Sequence, residues 1–267
     1  MSSEFDDDTA VTEQAPGRYA GTITGRWNVG PVPNGGYLLA IAQRAIGLAI
    51  PGRDPLTSSA HYLRPAVPGP VSIEVETIKQ GKSLATASAR LLQGGREITR
   101  VLATVGSLDA RGAPRFMDGG PPALPAVADA LLPPGPPPVE IARRFEQRYD
   151  PATLAWAIHG RAEVPAHAEL RAYQRFADGR APDVLSLPLF ADSMPPPVFA
   201  VLAPGWVPTV ELTVHVRARP VPGWLRCRFS TRFVAGGLLE EDGELWDEGG
   251  QLVAQSRQLA AVPSRKW

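Results

Sequence analysis

Between residues 34 and 50 the chain is apolar almost without interruption, only Gln43 and Arg44 being strongly polar. The stretch opens Asn34-Gly35-Gly36-Tyr37 and is followed by Pro51-Gly52. Asn34 can cap a helix by accepting an otherwise orphaned backbone N–H, and Pro-Gly ends one. A helix apolar nearly all round is a buried helix. Seventeen residues span about 26 Å, but the two polar side chains, the glycines and the many alanines disfavour a membrane span. Glycines in a first turn are poor helix formers, so something is expected to approach the backbone there.

Strand patterns surround this helix. Residues 18–27 precede it, and 56–63, 71–78, 83–93 and 96–105 follow. In 71–78 the side chains of Val71, Ile73 and Val75 alternate with Ser72, Glu74 and Glu76, the period of a half-buried strand. Gly94-Gly95 between two strands predicts a hairpin. Residues 107–138 then carry Pro121-Pro122, Pro133-Pro134 and Pro136-Pro137-Pro138, which predicts a stiff linker. Beyond it, 169–177 alternates, 183–194 predicts a mostly apolar helix capped by Asp183, and 210–219, 224–233, 238–246 and 251–262 predict strands. Pro188 interrupts that helix and Pro195-Pro196-Pro197 kinks or ends it.

The two halves register on each other. Arg64-Pro65 and Arg219-Pro220, Gly94-Gly95 and Gly249-Gly250, and Gly81 and Gly236 all share an offset of 155 residues. A period this long indicates two fused copies of one domain rather than a solenoid. A strand, a helix and four antiparallel strands make a sheet wrapped around a helix. Fusing two copies covers the edge and helix side that each would expose. The predicted class is therefore α+β, a double hotdog. Its divisions are a solvated, disordered tail (1–16), an N-terminal hotdog domain (17–106), the linker (107–138) and a C-terminal hotdog domain (139–263).

Composition narrows the function. The 27 basic and 27 acidic residues cancel, so there is no basic stripe for nucleic acid. One cysteine, Cys227, excludes an internal disulfide framework and fits a reducing, cytoplasmic setting, and no leader-like segment opens the chain. The four histidines, His61, His159, His167 and His215, lack metal-ligand spacing, and no metal or other cofactor is expected. No Gly-x-Ser-x-Gly elbow points to a serine hydrolase. Arg226, Arg228 and Arg232 share one strand face, suited either to coenzyme A phosphates or to solvent.

The sequence resembles the TesB-like, double-hotdog acyl-CoA thioesterases over roughly residues 18–262. The resemblance is carried by Trp27 with Pro33-Asn34-Gly35-Gly36-Tyr37 and by Leu63-Arg64-Pro65 with Gly69 and Gly81. In the second half it continues in Arg180-Ala181-Pro182-Asp183, Asp192, the stretch 209–220 and the stretch 252–258. In that family an aspartate on the second helix, a threonine opening the next strand and a glutamine on the last strand hold the attacking water. The matching positions are Asp192, Thr209 and Gln258. The Ser193-Met194-Pro195-Pro196-Pro197 context of Asp192 departs from the family's pattern. The resemblance implies an acyl-CoA substrate and a homodimer or higher oligomer.

The residues themselves fit this chemistry. A carboxylate accepts a proton from water, and burial raises its pKa toward a useful range. Asp192 lies in an apolar stretch, as a general base or as a carboxylate paired with an arginine. Gln258 shares a strand face with Leu252, Ala254, Ser256 and Ala260, so its amide needs a partner: a held water or nearby backbone. The backbone N–H groups of Gly35, Gly36 and Tyr37 at a helix N-terminus could receive an oxyanion; alternatively the glycines only allow close packing. The 155-residue offset pairs Tyr37 with Asp192, Asp54 with Thr209 and Ala103 with Gln258, which predicts one site per chain. Two rivals remain: a non-catalytic acyl-CoA or lipid-binding protein, and a hotdog hydratase, for which the first helix lacks the His with Asp or Glu.

Overall fold

The structure is a computed structural model that describes residues 3–109, 114–133, 135–154 and 167–262. Its strands are β1 (Val11–Ala15), β2 (Arg18–Ile23), β3 (Asn28–Val29), β4 (Val32–Pro33), β5 (Asp54–Tyr62), β6 (Gly69–Gln80), β7 (Leu84–Gln93), β8 (Arg96–Gly106), β9 (Phe145–Tyr149), β10 (Ala168–Phe176), β11 (Thr209–Val216), β12 (Leu225–Thr231), β13 (Val234–Ala235), β14 (Leu238–Trp246) and β15 (Leu252–Ala261). Its α-helices are α1 (Glu4–Thr9), α2 (Gly35–Ala49) and α3 (Leu187–Phe190). Among the described residues no helix is long and apolar enough to cross a membrane.

One large antiparallel sheet runs in the order β1-β2-β6-β7-β8-β5-β11-β15-β14-β12-β10-β9. The order is symmetric about the β5–β11 seam: β8 answers β15, β7 answers β14, β6 answers β12 and β2 answers β10. At the seam His61 faces Glu211 and Thr57 faces His215, and Ser59 Oγ donates to Glu211 Oε1 at 2.6 Å. Each wrapped sheet has thus closed one edge of the other, β5 against β11, which pairs the backbone those two edges would leave bare. This is the double hotdog that the repeat predicts.

Helix α2 fills the first wrap. Asn34 Oδ1 accepts from the Tyr37 N–H at 3.0 Å, the expected cap. Tyr37, Leu39, Ala40 and Ala42 are fully enclosed. The two polar interruptions are both partnered: Gln43 Nε2 donates to Ser58 Oγ at 2.9 Å, and Arg44 pairs with Asp6 and donates to Thr9 Oγ1. The Gly94-Gly95 hairpin forms as predicted, with φ of 54° and 74°, the paired positive values its tight turn requires.

Two expectations are corrected. The opening residues are no solvated tail. Phe5 has no exposed surface and packs edge-on to Trp27 (6.0 Å) and against Phe176 (5.5 Å). The acidic residues around it meet cations from both halves: Asp8 takes Arg26 and the Trp27 indole N–H, while Asp6 takes Arg180 and Arg44. One buried ring and this set of ion pairs outweigh the cost of ordering the segment. The second correction concerns 183–194. Only α3 is α-helical. Asp183 and Ser186 cap each other reciprocally (Ser186 N to Asp183 Oδ1, 2.9 Å; Asp183 N to Ser186 Oγ, 2.8 Å) and close a turn instead. Pro188 is tolerated because it sits in the first turn of α3, where its missing N–H is not needed. Strand β9, which pairs with β10, lies outside the elements read from the sequence.

Candidate active site

Chain direction brings the two halves together at the N-terminus of α2. Gly36 packs so closely on α3 that an added Cβ would stand 2.3 Å from the Pro188 carbonyl oxygen and 2.9 Å from Leu189 Cα. Because α3 stops after Phe190, the chain turns and aims Asp192 back at α2. Asp192 Oδ2 accepts from the Gly36 N–H at 2.8 Å and from Asn34 Nδ2 at 2.9 Å. The same Asn34 amide also donates to the Asp192 carbonyl at 2.7 Å. The second half therefore supplies a carboxylate to the positive end of the first half's helix. Burial pushes the Asp192 carboxyl up to about 6, against the opposing pull of the Gly36, Asn34 and Gly35 donors.

A cleft of about 280 Å³ opens beside this contact. Asn34, Gly35, Tyr62, Asp192, Thr209, Glu241 and Gln258 supply its polar lining, and Leu38, Met194, Trp206 and Leu239 are among its apolar walls. Thr209 opens β11 and Gln258 lies on the buried face of β15. Thr209 Oγ1 donates to Gln258 Oε1 at 2.8 Å, and Gln258 Nε2 donates to Glu241 Oε1 at 3.0 Å. Glu241, with 5% of its surface exposed, was not among the expected site residues. The signal was present: on β14 it alternates in phase with Leu239, Gly243 and Leu245, a carboxylate on an apolar face. Burial, reinforced by the charges of Asp192 and Asp242, pushes it up to about 8, opposed by the Gln258 hydrogen bond.

Two of the expected oxyanion donors are not open. The Gly36 N–H holds Asp192, and the Tyr37 N–H holds Asn34 Oδ1. Tyr37 is enclosed, stacked on Trp27 at 5.7 Å, and its hydroxyl donates to the Asp8 carbonyl at 2.8 Å. Gly35 lines the cleft directly beneath Tyr62. The physical reason is that this helix end is already occupied by a carboxylate and its own cap, which sequence spacing does not reveal.

The pseudo-equivalent positions in the other wrap hold no such constellation. Asp54 is paired with Arg219 and accepts from the Leu108 N–H at 3.1 Å. Arg228 of β12 meets Glu244 at 2.8 Å, and Arg232, just past the strand, lies 4.0 Å from Glu240 and 3.9 Å from Asp242. Of the four histidines, His159 lies outside the described residues.

A twofold-repeated wrapped sheet with a carboxylate-lined cleft where its halves meet is the architecture of the double hotdog class. The chain belongs to the acyl-CoA thioesterase family: the family's N-terminal domain matches residues 23–106 and its C-terminal domain residues 117–262. Among solved structures it is similar to a candidate thioesterase II from Thermobifida fusca YX (34% identity, 98% of each chain covered, TM-score 0.90). A hot dog protein of unknown function from Alicyclobacillus acidocaldarius shares the fold (22% identity, 99% of each chain, TM-score 0.86). An uncharacterized protein of Mycobacterium tuberculosis is 30% identical, over 92% of this chain and 91% of its own.

Proposed function

We propose that this protein hydrolyses an acyl-CoA thioester to the free acid and coenzyme A through a water activated by Asp192. The observation that carries the reading is a carboxylate, raised to about 6, fixed by two N–H donors at the edge of a cleft. Such a group is ionised at neutral pH yet basic enough to take a proton from water. The Gly36 and Asn34 donors on Oδ2 orient the carboxylate, leaving its other oxygen for the water. Thr209 and Gln258 position that water. Glu241 accepts from the Gln258 amide, which turns the amide oxygen toward Thr209 and fixes the pair.

The water oxygen attacks the thioester carbon while its proton passes to Asp192. The tetrahedral intermediate then collapses, the carbon–sulfur bond breaks, and the proton returns to the departing thiolate. The apolar cleft walls receive the acyl chain.

D192N tests this. It keeps the shape and one acceptor oxygen but removes the base. With a panel of acyl-CoA esters and thiol release as the readout, kcat should fall by about 10³-fold or more while ligand binding persists. A wild type that binds acyl-CoA and cleaves none of the panel would be a binding protein instead.

A further inference from the structure

With Asp192 as base, hydrolysis still needs a donor for the carbonyl oxygen, where negative charge develops as water attacks. At the start of α2 the Gly36 and Tyr37 N–H groups are committed, to Asp192 and to Asn34. We propose that the Tyr62 hydroxyl donates to the thioester carbonyl oxygen and stabilises the oxyanion; the proposal rests on the reading of Asp192 as the base.

Three observations converge on this hydroxyl. First, it is buried and has no hydrogen-bond partner among the described residues. A buried hydroxyl left unpaired is costly in a folded protein and calls for an explanation, of which a ligand atom is one. Second, it stands beside the base. A Cβ placed on Gly35 would lie 2.8 Å from the Tyr62 hydroxyl and 3.1 Å from Asp192 Oδ2, so both atoms flank one point. Gly35 is what allows the phenol ring to lie over the first residue of α2. Third, Tyr62 lines the same cleft as Asp192, Thr209 and Gln258. It is the last residue of β5, the seam strand of the first half, where its backbone pairs with Thr99 of β8.

The phenol remains a donor throughout. Burial, and next the charges of Asp192 and Glu211, hold its pKa well above the ordinary tyrosine value. In the reaction the carbonyl π electrons move onto oxygen as the water oxygen bonds to carbon. The Tyr62 O–H shortens its hydrogen bond to that oxygen without giving up its proton. The water's proton goes to Asp192 and later to the thiolate, so Tyr62 ends unchanged. The first half would still supply the oxyanion donor, but from its seam strand rather than its helix.

Y62F removes one oxygen atom and leaves the ring packed on Gly35. Expected with an acyl-CoA ester that the wild type cleaves are a 10²- to 10³-fold fall in kcat, about the cost of losing one oxyanion donor, a KM within about twofold, and an unchanged acidic limb of the pH profile. A coenzyme A trifluoromethyl ketone, which mimics the tetrahedral adduct, should bind Y62F about tenfold or more weakly, while the unreactive thioether analogue binds both proteins alike. A kcat within about threefold of wild type overturns the proposal. So does equal weakening of both analogues, which would make Tyr62 a ground-state contact, or loss of the cooperative thermal transition, which would make the hydroxyl structural. D192N separates the two readings. If D192N kept its kcat, the base assignment would fail while Tyr62 would still be judged by Y62F; if Y62F kept its kcat, the base assignment would stand.

Discussion

Two carboxyl groups in one cleft, held at different protonation states by their surroundings, are the central feature at the scale of single residues. Asp192, at about 6, ionises first; Glu241, at about 8, stays neutral through the physiological range. If Asp192 is the base proposed above, it must be deprotonated to act, so kcat/KM should rise about tenfold per pH unit below 6 and level off above it. As pH passes 8, Glu241 ionises beside Asp192 and adds a second negative charge that opposes the oxyanion. A falling alkaline limb should follow. E241Q should abolish that limb and keep the acidic one, and an E241Q profile that still falls near pH 8 would remove Glu241 from the account. Stability carries the same sign. A carboxyl raised from 4.5 in the folded state is fully tolerated below 4.5, and between 4.5 and 8 its ionisation in the unfolded state alone erodes stability as pH rises. At pH 8.5 E241Q should therefore unfold at higher denaturant than the wild type, and the two should converge near pH 4.5.

Among the elements, α2 decides the site, and its glycines do unlike jobs. At Gly36 a methyl would strike the backbone of Pro188 and Leu189, which cannot swing away. G36A should lose about 1–3 kcal/mol or more and should depress activity as well, because the same residue's N–H holds Asp192. At Gly47, on the same helix, an added methyl would meet nothing within 4 Å. G47A should gain about 0.5–1 kcal/mol from the reduced freedom of the unfolded chain and leave kcat alone. Thermal unfolding of the two variants, run side by side, separates a packing glycine from a permissive one. The contrast with the second half is instructive. Its apolar run carries Pro188 and Pro195-Pro196-Pro197, so the counterpart of a fifteen-residue helix shrinks to four residues. That shortening places Asp192 at the end of the element, free to turn onto its neighbour.

Across the whole molecule, the N-terminal segment fastens the halves together. Asp6 pairs with Arg44 on α2 and with Arg180 before α3, and Glu4 pairs with Arg144 at 2.9 Å. Phe5 sits among Trp27, Phe176 and the Arg180 guanidinium, 4.8 Å above its ring. F5A should cost about 3–5 kcal/mol and lower the thermal midpoint by roughly 10 °C. An unchanged midpoint would return residues 3–9 to the status of a solvated tail. The expectation of such a tail came from counting acidic residues; the single aromatic among them carried the contrary signal.

Much of this architecture was legible in the one-dimensional pattern. Period-two alternation marked the strands, the unbroken apolar run marked α2, and the 155-residue offset marked the duplication, because those features depend on which neighbours along the chain share a face. Gln258 was legible for the same reason, as an amide on an apolar face, and so in principle was Glu241. Only the tertiary structure decided where the halves meet at the cleft, that the Asp192 carboxylate occupies the Gly36 N–H, and that the Tyr62 hydroxyl stands beside it with no hydrogen-bond partner among the described residues. Those facts depend on groups about 130 to 160 residues apart competing for the same hydrogen bonds. A local pattern can show that a donor exists, but whether it is free is settled by what the rest of the fold brings to it.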